Sequence, residues 1–65
     1  MMSIKRYYMI LDVYDRQDET KAVIRPLQTN VTAESEHVAR TTAVRSAHIS
    51  GLHVNRLRVI RSKTM

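Results

Sequence analysis

The chain contains no cysteine. A disulfide framework, a thiolate metal site and a cysteine nucleophile are therefore excluded, and a reducing interior is the expected compartment. Tryptophan and phenylalanine are absent as well, leaving three tyrosines as the whole aromatic inventory. The core must be thin, because large rings usually dominate burial in a small domain, and self-association or a partner would add stability. Glycine and proline each occur once, which argues against a linker or low-complexity chain. With the lone glycine at position 51, no glycine-rich phosphate loop can form. The longest apolar run, Tyr7-Tyr8-Met9-Ile10-Leu11, is far short of the ~20 residues of a membrane span and shorter than a signal-peptide core. The expectation is a soluble, cytoplasmic protein without a membrane partner. Met1-Met2 reads as a doubled start with no function of its own.

What is present fits one small globular domain over residues 1–65: 43% hydrophobic and 26% charged residues are ordinary usage for a folding chain. A domain of this size buries only about 60% of its unfolded surface. Charge is the unusual feature. Eleven Lys and Arg against six Asp and Glu give a net charge of +5, which favours anionic partners such as nucleic acid, anionic lipid or an acidic protein surface. Residues 1–36 hold all the acids together with Lys5, Arg6, Arg16, Lys21 and Arg25. Residues 37–65 hold Arg40, Arg45, Arg56, Arg58, Arg61 and Lys63 and no acid. This half is the electropositive pole, and its arginines suit phosphate or carboxylate better than lysine point charges do.

Ile4 to Tyr14 alternates as a strand: Tyr7, Met9, Leu11 and Val13 share one face, and Arg6, Tyr8, Ile10, Asp12 and Tyr14 share the other. Asp15 to Glu19 is turn-prone, and Thr20 to Thr29 reads as a second strand forming a hairpin with the first. Pro26 places that strand at a sheet edge, leaving strand one at the centre. Thr32 is the expected N-cap of a helix from Ala33 to Ser50, with Glu34 and Glu36 at its positive end and Gly51 as its stop. At 100° per residue Ser35, Val38, Ala39, Thr42, Ala43, Ser46 and Ile49 face the sheet, while His37, Arg40, Thr41, Val44 and His48 face away. Leu52 to Arg61 reads as a third strand, with Leu57 and Val59 on one side and Val54, Arg56, Arg58 and Ile60 on the other.

The expected fold is therefore α+β: a single ββαβ domain whose third strand runs antiparallel to strand one and parallel to strand two, in spatial order 2-1-3, with one helix on one face. The other face is left open. It presents Arg6, Tyr8, Ile10 and Tyr14 beside Arg56, Arg58 and Ile60.

Chemistry finds little support. His37 and His48 lie about 16 Å apart along a helix and cannot share an ion. His48 and His53 flank the Gly51 turn, but no carboxylate or thiol nearby completes a site. Asp15, Asp18 and Glu19 lack the glycine and terminal bidentate glutamate of a calcium loop, and no serine sits in a nucleophile elbow. The expectation is a protein without catalytic activity, metal or cofactor.

Two binding roles remain. In one, Tyr8 and Tyr14 stack bases while Arg6, Arg56 and Arg58 track phosphates and Arg61 and Lys63 extend the path. In the other, the same face, or the helix flank with Arg40 and Arg45, grips an acidic or nucleic-acid-binding protein. A homodimer through the open face, burying Tyr8, Ile10, Tyr14 and Ile60, is compatible with both.

The passage Leu27-Gln28-Thr29-Asn30-Val31-Thr32-Ala33-Glu34-Ser35-Glu36, followed by His37-Val38-Ala39-Arg40, is similar to the strand-to-helix passage of small phage and mobile-element accessory proteins. That set includes compact type I anti-CRISPR proteins. The resemblance implies an inhibitor that occupies nucleic-acid-binding surfaces of a host CRISPR effector complex without catalysis. A chain of net charge +5 cannot imitate DNA, so such an inhibitor would seize an acidic patch, hold nucleic acid in a complex or block sterically. The sequence thus points first to a phage or mobile-element inhibitor and second to a nucleic-acid-binding protein.

Overall fold

The computed structural model describes residues 3–65; the two leading methionines, read above as a doubled start, lie outside them. The element order is β1 (Lys5–Asp15), β2 (Arg25–Ala33), α1 (Glu36–Ile49) and β3 (Leu52–Thr64). One three-stranded sheet has the order β2-β1-β3. Both neighbours pair with β1 antiparallel, so the expected ββαβ domain is the fold observed.

Strand β1 is central because it alone offers four large apolar side chains at alternate positions. Tyr7, Met9, Leu11 and Val13 are all buried, the last three completely. The helix lies over them with Ala39, Ala43 and Ala47 buried at intervals of four. Val31, Leu52, Val54, Leu57 and Val59 from the outer strands close the core around it. At 14 residues, α1 is too short and too polar to cross a membrane.

The helix face expected from the sequence is rotated. Ala39 and Ala43 point inward as expected, but Val38 and Ile49 are 49% and 79% exposed, and Ala47 takes the inward place. The three alanines let the helix backbone approach the large β1 side chains, whereas burying Val38 and Ile49 would hold it away. Boundaries shift for equally local reasons. Asp18 accepts hydrogen bonds from the Thr20 amide (3.0 Å) and hydroxyl (2.6 Å) and from the Ala22 amide (3.0 Å). These bonds curl residues 16–24 into a loop, with Lys21 at φ 55°, so β2 starts at Arg25 and not at Thr20. The same bonds hold the Asp18 carboxyl below its ordinary pKa, the Thr20 hydroxyl first among them. At its far end β2 runs on through Thr32 to Ala33, which pairs with Lys5. Thr32 is thereby a strand residue, Glu34 precedes the helix, and Ser35 is the N-cap, its Oγ accepting from the Val38 amide at 3.3 Å. Gly51 ends the helix at φ 84°, as expected.

Strand β3 is longer than expected and twice irregular. Asp12 pairs with Arg56 but Val13 with Val54, and Met9 pairs with Val59 but Tyr8 with Arg61. Asn55 and Ile60 are thus extra residues in two β-bulges. The first bulge turns Val54 into the core, against its expected place on the open face. The radius of gyration is 12.7 Å, against about 10.7 Å for a compact domain of this length. Among the described residues, one sheet face has no cover.

Candidate nucleic-acid interface

Residues paired across antiparallel strands project from the same side of the sheet, so the register defines the open face. Strand β1 contributes Arg6, Tyr8, Ile10, Asp12 and Tyr14. Opposite them stand Lys63, Arg61, Arg58, Arg56 and His53 on β3, and Thr32, Asn30, Gln28 and Pro26 on β2. Simple alternation from Arg56 and Arg58 would send Arg61 and Lys63 toward the helix. The bulge at Ile60 resets the phase and brings all four β3 cations to one side. Successive cations away from the bulge lie about 6.6–6.8 Å apart along the strand.

The row has little internal neutralisation. Among the described residues the one ion pair is Glu36–Arg40 on the helix, at 3.2 Å. Asp12 is the single carboxylate in the open-face register, and it makes no ion pair with Arg56. Arg56, Arg58, Arg61 and Lys63 are exposed, while Arg6 is half-buried. The Arg6 Nε is screened from water and donates to no acceptor among the described residues.

The tyrosines of this face do not stand bare. The Arg61 guanidinium carbon lies 4.3 Å from the Tyr8 ring centroid, in the geometry of a cation–π contact. Tyr14 stacks on His53 with centroids 5.5 Å apart and planes 12° apart, and the Lys21 ammonium lies 5.5 Å from its centroid. Each platform already has a cation beside it. A cleft of about 440 Å³ is lined by Tyr8, Met9, Gln28, Thr29, Asn30, Ile60 and Arg61. Gln28 and Asn30 bring amide donors and acceptors to this cleft, and the sequence reading missed them. Their signal was present: with Thr32 they fall at alternate positions as the polar residues of one strand face.

His53 is a second addition, placed on the open face by its pairing with Tyr14. His48 and His53, which flank the Gly51 turn, meet edge to face at 5.6 Å. Arg16 closes this end of the molecule, its guanidinium 3.1 Å from the His48 Nε2 and donating to the His48 carbonyl at 3.3 Å. Among the described residues no three His, Asp or Glu side chains converge where they could hold a metal ion.

The candidate binding residues thus fall into two groups. Arg6, Tyr8, Tyr14, Arg56, Arg58, Arg61 and Lys63 share the open face. Arg40 and Arg45 lie on the helix side of the sheet, where they line a wide cleft of about 550 Å³ with His37, Thr41, Val44, His48, Ile49 and Leu57. No single flat ligand can touch both groups. No family model matches the chain, and no curated protein or solved structure is significantly similar to it.

Proposed function

We propose that this protein is a non-enzymatic, cytoplasmic nucleic-acid-binding module whose open sheet face takes a single strand of DNA or RNA. The observation that carries this reading is the β3 bulge at Ile60. It brings Arg61 and Lys63 to the side of Arg56 and Arg58, beside Arg6, Tyr8 and Tyr14, and among the described residues none of these cations is in an ion pair. Such a surface combines a track of phosphate contacts with two ring platforms for bases, and Gln28 and Asn30 offer hydrogen bonds to base edges.

A second reading follows the resemblance to small phage inhibitors: the same face binds a host defence complex of the CRISPR-effector kind. Ile60, 57% exposed in the Tyr8 cleft, and Ile10 place aliphatic surface among the cations, which a protein partner would bury. The charge that favours either anionic partner opposes a homodimer through this face, because stacking two copies would press the cation rows together.

The test is fluorescence anisotropy with labelled single- and double-stranded oligonucleotides across a salt series. Contact by the five open-face cations predicts a slope of log affinity against log salt of about −3.5 on single strands. Changing Arg56 and Arg58 together to Glu should abolish binding while circular dichroism stays native. No binding to any oligonucleotide at low salt would overturn the nucleic-acid reading and leave the protein-partner reading.

A further inference from the structure

The outer edge of β3 and the cleft beside it form a second surface, with a character different from that of the open face. In the order β2-β1-β3, the 13-residue β3 is an edge strand. Among the described residues, its backbone groups facing away from β1 have no partner strand. Directly beside this edge, on the helix side, lies the cleft floored by Leu57 and walled by α1. Val44 and Ile49 stand on that wall with 41% and 79% of their surface exposed, although both are large and aliphatic. A fourth strand laid against β3 would run beneath them.

We propose that the β3 edge receives an extended segment of another protein in which acidic and aliphatic residues alternate. Between the two bulges, over Arg56–Val59, the face alternation of a strand dictates the pattern. Side chains of the added strand on the helix side would enter the cleft that Arg40, Arg45, His37 and His48 also line, and those that meet its apolar part, Leu57, Val44 and Ile49, are apolar. Those on the opposite side would stand beside Arg56 and Arg58, which make no ion pair among the described residues, and must be acidic. Main-chain hydrogen bonds to β3 supply affinity and the alternating side chains supply selectivity, as in other cases of strand addition.

A second copy of this chain does not meet that description. Pairing β3 with β3 would set cations against cations, which is destabilising for directly opposed residues. The other edge, β2, reads Arg-Pro-Leu-Gln-Thr-Asn-Val-Thr-Ala and carries no acid. The only acids in strands, Asp12 and Asp15, belong to the central β1. The occupant is therefore a different chain.

The edge and the open face share Arg56 and Arg58, so an acidic strand on the edge would neutralise two of the cations assigned to nucleic acid. Mutual exclusion follows; this part alone rests on the function proposed above.

The test uses a labelled synthetic peptide of about nine residues alternating glutamate and valine. It is compared with a scrambled peptide of the same composition and with a lysine-for-glutamate version. Expected results are saturable binding of the alternating peptide, slowed hydrogen exchange at β3 amides, and at least a roughly tenfold loss in V44D/I49D. Both substituted positions are exposed, so circular dichroism should show the variant folded, and its oligonucleotide binding should be unchanged. Three results would overturn the proposal: no binding at millimolar peptide, equal binding of the scrambled peptide, or exchange protection confined to α1. Failure of the peptide to displace a bound oligonucleotide, with peptide binding intact, would remove mutual exclusion and leave the edge site standing. Peptide binding without any oligonucleotide binding would overturn the nucleic-acid reading alone.

Discussion

The two faces of this sheet are built from the same three strands, yet they obey different rules. The helix side gathers Tyr7, Met9, Leu11 and Val13 under three alanines and buries no polar or charged side chain among the described residues. The open side gathers five cations, two tyrosines and one carboxylate, all half-buried or exposed. Period-two alternation lets one strand serve both sides, because each residue given to packing is followed by one given to solvent. The difference teaches that stability and binding are separable here. Substitutions on one face should leave the function of the other intact.

The largest effect should come from the covered face. Leu11 is fully buried beneath the helix, and Leu11→Ala should cost about 2–5 kcal/mol. A chain of this length has about 3–10 kcal/mol of stability in all. Thermal unfolding monitored by circular dichroism should therefore show a midpoint at least about 10 °C lower. A smaller shift would mean that the core is sustained from outside, by a partner or by self-association.

The complementary experiment breaks the open face. Tyr8→Leu and Tyr14→Leu remove the ring platforms while keeping aliphatic bulk against the sheet. Each should weaken single-strand binding by about 1–3 kcal/mol, or roughly five- to 150-fold. The unfolding midpoint should stay nearly constant, and the salt slope should not change, because no phosphate contact is lost. If the two tyrosines prove silent in binding but costly in stability, their contacts with Arg61 and His53 are packing alone, and the two faces are less separable than the register implies.

Much of this division was legible in the sequence. Strand β1 alternates without interruption from Arg6 to Tyr14, so both of its faces could be read directly. Gly51 announced the helix end because the chain there needs a positive φ. Strand β3 was legible only in part. Its core-side apolar residues fall at Leu52, Val54, Leu57 and Val59, and the three-residue step between Val54 and Leu57 is the mark of the first bulge. The bulge at Ile60 shows only as the apolar pair Val59-Ile60, because Ser62 and Thr64 follow on the core side and carry no apolar signal to reveal the shifted phase. The helix face was misread because alanine contributes little to a hydrophobic pattern, while its small size decides how closely a helix can approach. The start of β2 was hidden by side-chain-to-backbone bonds of Asp18, which override the strand preference of Val23 and Ile24.

A gentler experiment sharpens the role of the second bulge. Ile60 is the extra residue between Val59, paired with Met9, and Arg61, paired with Tyr8. Deleting it should heal the bulge and leave Val59 inward and Arg61 and Lys63 outward. The expected outcome is a fold changed by less than about 1 kcal/mol and an unaltered salt slope in oligonucleotide binding. A reduced slope would show that the bulge itself aims the cations, and that their common side is not enough.

The smallest expected effect belongs to the loop joining β1 to β2, which borders both faces and serves neither directly. Asp18 is held below its ordinary pKa of 3.8 first by the Thr20 hydroxyl, with the Thr20, Ala22 and Val23 amides adding to it and desolvation working against it. A carboxyl whose folded pKa lies below its unfolded value stabilises the fold above the unfolded value. That contribution declines as pH falls below 3.8 and is gone once pH passes the lowered folded value. Asp18→Asn cannot titrate, so the variant should be slightly less stable than the parent at neutral pH, and the two should converge in acid. Thermal midpoints measured from pH 7 down to about pH 2 would show this as a shallower acid limb in the variant. Parallel limbs would mean that the Asp18 carboxylate does not fix the loop. The curl that delays β2 to Arg25 would then rest on Lys21 and its positive φ, and the loop would respond to Lys21→Gly where it ignored the loss of the acid.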